Sequence, residues 1–156
     1  DGKEIIPIKY DTAESFKEGL AKVKIIDEIH VWGLWGFVNR NGKEIIPTIY
    51  DYVQDIKDGF SIVNMNINYG LVDKEGKAIT EMKYYGIGDF VEGYAKVSIW
   101  KSTGFLNKEG KEVVPVKYEC ATNFHNGFAR VCIRIGEFQW NEGYIDTNGT
   151  EYWEDK

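Results

Sequence analysis

Short β-branched runs and turn signals alternate along the whole chain, and the pattern returns four times. The stretch from Gly42 to Val63, GKEIIPTIYDYVQDIKDGFSIV, is echoed from Gly2 (GKEIIPIKYDTAESFKEGLAKV), Gly76 (GKAITEMKYYGIGDFVEGYAKV) and Gly110 (GKEVVPVKYECATNFHNGFARV). In every copy a tyrosine (Tyr10, Tyr50, Tyr84, Tyr118) stands eight residues after the opening glycine, and a second glycine (Gly19, Gly59, Gly93, Gly127) nine residues later. Such recurrence marks a repeat architecture. Alternation by twos marks strands rather than helices.

Each copy predicts three strands. The first carries Ile5-Ile6-Pro7, Ile45-Ile46-Pro47 or Val113-Val114-Pro115; proline forbids a helix interior and confines a strand to an edge or a bulge. Copy three departs here, with Thr80-Glu81. The second strand opens at Glu18-Gly19, Asp58-Gly59, Glu92-Gly93 or Asn126-Gly127, dipeptides suited to tight hairpins because both residues tolerate positive φ. Large-small-x-Val follows, which places Ala21 and Val23 and their equivalents on one face. The small residue leaves room that the tyrosine and Phe16, Phe90 or Phe124 can fill.

The third strand holds a glycine (Gly36, Gly70, Gly104, Gly143) and ends in Asn39, Asp73, Asn107 or Asp146. The next opening glycine (Gly42, Gly76, Gly110, Gly149) lies three residues on, the spacing of an Asx-led type I turn. The third strand of one copy therefore hairpins into the first strand of the next. The expected fold is all-β: one repeat domain of about four three-stranded antiparallel units, 2–41, 42–75, 76–109 and 110–148, with 149–156 beginning a further unit or capping the last. Three strands per unit fall short of a propeller blade's four, so an open solenoid-like array is expected, with a small closed propeller as the alternative. Because the sequence begins at Asp1 inside a turn, it reads as a piece of a longer protein.

Trp35-Gly36-Phe37-Val38-Asn39, followed by Gly42-Lys43-Glu44-Ile45-Ile46-Pro47 and Tyr50, together with Phe-x-x-Gly-Leu-Ala-x-Val from Phe16 to Val23, resembles the bacterial WG repeat, also called KWG. The resemblance covers essentially the whole chain, although the tryptophan becomes Tyr69, Thr103 and Glu142 in later copies. It implies a non-enzymatic protein-binding or spacer scaffold, an extracellular or cell-surface setting, and no catalytic residue.

Composition narrows the partners. A net charge of −6 with interspersed signs offers no basic stripe to follow a phosphate backbone, so nucleic acid is not expected. No apolar run has the length of a spanning helix, so membrane insertion is not expected either. Turn glycines recur at intervals of 40, 34, 34 and 39 residues, with all the variation between second and third strands. These arms carry His30, Val31, Trp32, Met65, Ile67, Trp100, Phe138 and Trp140. They either form a contact surface for a protein partner, with His30, Trp32, Trp100, Phe138 and Trp140 as binding residues, or pack as ordinary core. Five Trp and ten Tyr also allow a carbohydrate- or cell-wall-binding module, in which rings stack on sugar faces.

Reactive chemistry finds little support. The Asp146–Glu151 stretch has oxygen ligands at alternating positions but lacks the full calcium loop, and reads as a turn. His125 near Cys120 suggests a thiol–imidazole pair, but it occupies a turn position filled by Lys17, Lys57 and Val91 elsewhere. Two histidines do not make a zinc site, and no cofactor is expected. A two-residue Asn126-Gly127 turn places Cys132 opposite Ala121, one step from Cys120, so buried free cysteines are expected and a disulfide is left open.

Overall fold

The computed structural model describes residues 9–153, and every regular element among them is a strand. The chain's contacts divide it into two compact units, 1–82 and 83–156. In the first, β1 (Thr12–Ala13), β2 (Leu20–Ile25), β3 (Leu34–Asn39) and β4 (Glu44–Tyr50) form one sheet in sequence order, and β5 (Tyr52–Val53), β6 (Phe60–Met65) and β7 (Asn68–Asp73) form another. In the second, β8 (Gly86–Val91), β9 (Tyr94–Ile99), β10 (Ser102–Asn107) and β11 (Glu112–Tyr118) form one sheet; β12 (Cys120–Ala121), β13 (Phe128–Arg134), β14 (Trp140–Asp146) and β15 (Glu151–Trp153) form the other. All pairings are antiparallel. Among the described residues no sheet closes into a barrel, and four antiparallel sheets follow one another along the chain, as expected of tandem repeats.

The three expected strands per copy divide differently from the sequence copies. The first strand of a copy closes the sheet of the copy before it, then crosses after its tyrosine to open its own: Glu44–Tyr50 pairs with β3, and Tyr52–Val53 with β6. A sheet can thus hold four strands. Copy three, where Ala78 and Thr80-Glu81 replace Glu44 and Ile46-Pro47 of copy two, contributes only a single bridge, Val72 to Ala78, so the β5–β7 sheet has three.

Local chemistry fixes the turns. Asn39 Oδ1 accepts from the backbone N–H of Asn41 and Lys43, Asp73 Oδ1 from Glu75 and Lys77, and Asp146 Oδ1 from Asn148 and Thr150. These caps are the Asx pattern expected from sequence, and they commit Asp146 to a turn. At the other hairpin, Asn126 and Gly127 have φ of 52° and 80°, and the equivalent pairs do likewise, as the primed turn requires.

Between that turn and β12 the register slips by one residue. His125 bridges Phe128, yet Cys120 pairs with Cys132 and Ala121 with Val131. The cysteines therefore face each other across the ladder and form a disulfide, with a Cα–Cα distance of 5.1 Å. The sequence reading of Cys132 opposite Ala121, with free thiols, is corrected. The extra residue is a bulge in the segment holding Phe124, which is buried against Phe105 with ring centroids 4.7 Å apart.

The alternation predicted for the second strand fills the core: Ala21, Val23, Val63, Ala95, Val97, Ala129 and Val131 are buried. In unit 1, Phe37, Ile46, Ile56 and Val63 centre one cluster; in unit 2, Phe105, Val114, Tyr118 and Phe124 centre another. Pro47 and Pro115 sit in bulged segments. Between the Phe37–Ile46 and Trp35–Tyr50 pairs the register shifts, and Glu44 Oε1 accepts from the Thr48 N–H and hydroxyl across the bulge.

Candidate binding surface

The hairpin joining second and third strands ends, in every copy, in exposed apolar side chains. In copy one the tip runs from 26 to 33 and shows Ile29, Val31 and Trp32, the last 88% exposed. It is a held shape: Asp27 Oδ1 accepts from the backbone N–H of Ile29 (2.9 Å) and His30 (2.6 Å), and Gly33 N–H donates to the His30 carbonyl (2.8 Å). The His30 hydrogen bonds, first that of its backbone, hold the Asp27 carboxyl below the usual range. His30 Nδ1 also faces that carboxylate at 3.0 Å, so this residue builds the loop that presents Trp32.

Copy two turns on Asn66 and Ile67 alone, at φ of 50° and 67°. The left-handed region strongly disfavours a β-branched residue, yet Ile67 is 75% exposed there. Met65, singled out with it in the sequence, is partly buried at the end of β6. Copy three turns at Trp100, which is exposed and contacts Tyr85 with ring centroids 5.3 Å apart. In copy four Ile135 and Phe138 are exposed, while Trp140 starts β14 under the Arg134 guanidinium, 5.1 Å from the ring centroid.

A second set of side chains, overlooked in the sequence, links successive copies. Tyr84 Oη donates to Glu112 (2.8 Å) and Tyr118 Oη to Glu151 (2.6 Å), and the preceding lysines, Lys83 and Lys117, pair with the same carboxylates at 3.0 and 2.6 Å. Lys9 and Tyr10 approach Glu44 in the same way, at 3.4 and 3.5 Å. Burial pushes the Tyr118 hydroxyl up, and the Lys117 ammonium followed by the Tyr118 hydroxyl holds Glu151 below the usual carboxylate range. Copy two has Ile49-Tyr50, and the matching Glu is Ala78: acid and lysine disappear together. Their columns in the repeat were the available signal. Tyr118→Phe is accordingly expected to cost about 1–2 kcal/mol, and Tyr50→Phe no more than about 0.5 kcal/mol. Urea denaturation followed by circular dichroism tests this, and equal effects would mean that the acid adds nothing.

Neither reactive arrangement considered from sequence is assembled. Cys120 is held in the disulfide, and His125 lies in the turn, its N–H donating to the Phe128 carbonyl. Among the described residues no group of three or more His, Cys, Asp or Glu is placed to hold a metal ion. Among the described residues, no helix is long and apolar enough to cross a membrane.

The frame described above, a glycine-bearing strand ending in an Asx turn at Asn39, Asp73, Asn107 and Asp146, is matched by a family model. That model, described as the WG containing repeat, matches residues 1–27, 35–66, 69–99 and 104–134. The chain belongs to the WG repeat family. No curated protein matches it as a sequence relative. The WG model describes a repeat and names no catalytic activity. In this WG repeat chain the family's glycine has a steric reason: a Cβ on Gly36 would stand 2.6 Å from the Ile46 carbonyl oxygen, and one on Gly104 2.6 Å from that of Val114.

Proposed function

We propose that this WG repeat chain is a non-enzymatic module whose hairpin tips bind a protein partner. The observation that carries the reading is Ile67, an exposed β-branched residue in the left-handed region. Solvent gives no reason to keep it there, and strain of this kind gathers at functional sites. The exposed Ile29 and Trp32 of copy one and Ile135 and Phe138 of copy four support the same reading, because large apolar anchors dominate protein interfaces. The Cys120–Cys132 disulfide favours an oxidising compartment, which fits display outside the cytosol.

Ile67→Gly separates function from folding. Asn-Gly is the preferred primed turn, so the variant is expected to gain about 1 kcal/mol in stability. It is also expected to lose, together with Trp32→Ala, most of the partner captured from an extract of the source cells and identified by mass spectrometry. Undiminished capture by both variants would leave a spacer role and remove the binding one.

A further inference from the structure

Copy three differs from its neighbours at one place on the sheet, and the differences act together. In copies one and two an aspartate clasps the hairpin tip: Asp11 Oδ2 accepts from the Ile26 N–H and Asp51 Oδ2 from the Asn66 N–H, each at 2.7 Å. The equivalent residues in copy three are Tyr85 and Trp100, and here two rings meet in place of the clasp. The backbone has not changed. Tyr85 N–H still donates to the Ser98 carbonyl at 2.8 Å, just as Asp11 N–H does to Lys24 and Asp51 N–H to Asn64.

Beside that ring pair the sheet is hollowed. Copy two has Tyr52 and Gln54 in its first strand, and copy four has Cys120 and Thr122; copy three has Gly86 and Gly88. Neither glycine has positive φ, so their effect is the space they leave. The result is a shallow groove of about 230 Å³, lined by Gly86, Gly88, Lys96, Ser98 and Thr103 together with Ile87 and Val97. Gly86, Ser98 and Thr103 pair across β8, β9 and β10 in one row. Trp100 caps the β9–β10 hairpin at that end, and Tyr85 directly precedes β8.

We propose that this end of copy three is a saccharide site, in which Tyr85 and Trp100 stack on the C–H face of an equatorially linked pyranose and the groove meets its hydroxyls. An exposed aromatic pair offers a wide apolar surface at little entropy cost, while the Ser98 and Thr103 hydroxyls can each donate and accept. The sole charge on the lining, Lys96, already donates to the Ala121 carbonyl at 3.3 Å, which suits a neutral sugar. The groove is open and floored by glycine, without the deep slot that an anchoring protein side chain fills. This site is independent of the tips of copies one, two and four.

The chain supplies its own control substitutions. Tyr85→Asp with Trp100→Asn installs copy two's clasp, and Gly88→Gln installs its groove-filling residue; both are side chains that the repeat already accommodates. With cellohexaose and chitohexaose as probes, calorimetry is expected to give a dissociation constant of about 1 mM or tighter for at least one. Each variant should weaken it at least about tenfold with an unchanged circular dichroism spectrum and melting curve. Failure of both probes to bind, parental affinity in either variant, or an extended peptide taking the groove in place of the sugars would overturn the assignment.

Discussion

Gly104→Ala is expected to destabilise the protein by about 3 kcal/mol or more, and Gly70→Ala by less than about 1 kcal/mol, although both remove the same strand glycine. Gly104 is held in place by its neighbours. A Cβ there would sit 2.6 Å from the Val114 carbonyl oxygen and 2.7 Å from the Val116 nitrogen, and backbone atoms cannot step aside without breaking the β10–β11 ladder. At Gly70 the first obstacle is the Met82 sulfur at 2.5 Å, with Glu81 O and Thr80 Oγ1 at 3.3 Å. A thioether end turns away easily, and the added methyl restrains the unfolded chain. Urea denaturation of the two variants decides the matter: equal losses would show that crowding by the proline bulge is not what reserves this position for glycine.

Reduction of the Cys120–Cys132 disulfide is expected to cost about 3 kcal/mol, in line with closing a loop of this length in the unfolded chain. The separation is 12 residues, and Cys132 is buried, so the double change Cys120→Ala and Cys132→Ala should lose a similar amount. Lower urea midpoints in dithiothreitol, with the alanine double variant unaffected by the reductant, would establish the link. A parental midpoint in reductant would remove both the stabilisation and the support the disulfide gives to an oxidising compartment.

The turns and strand order were legible because their causes are local. Asn39, Asp73 and Asp146 cap their own turns, and Glu18-Gly19 and its equivalents need only their own backbone freedom. The departure at Thr80-Glu81 was legible too, and the structure loses a strand there. The cysteine register was not. It depends on a bulge in the segment that carries Phe124 into a core built from β10, β11 and β13, a demand that no neighbouring residue announces. Sheet boundaries were hidden for a similar reason, since nothing at Asp51 marks the crossing from β4 to β5. Of the candidate surface, the sequence pointed to Trp32, Trp100 and Phe138 as outsiders to the repeat pattern. The strain at Ile67 and the role of Tyr85 emerged only with the backbone and the ring contact.

The lysine–tyrosine grip on the following glutamate gives the array a direction and a grammar. A copy that carries Lys-Tyr after its opening glycine expects an acid from its successor, whereas Ile49-Tyr50 expects the alanine that copy three provides. Shuffling by recombination is therefore not neutral: moving copy three behind copy one would strand Lys9 and Tyr10 beside Ala78, and moving copy four behind copy two would leave Glu112 without its lysine. The linear arrangement of the modules is inherited as a set of matched joints.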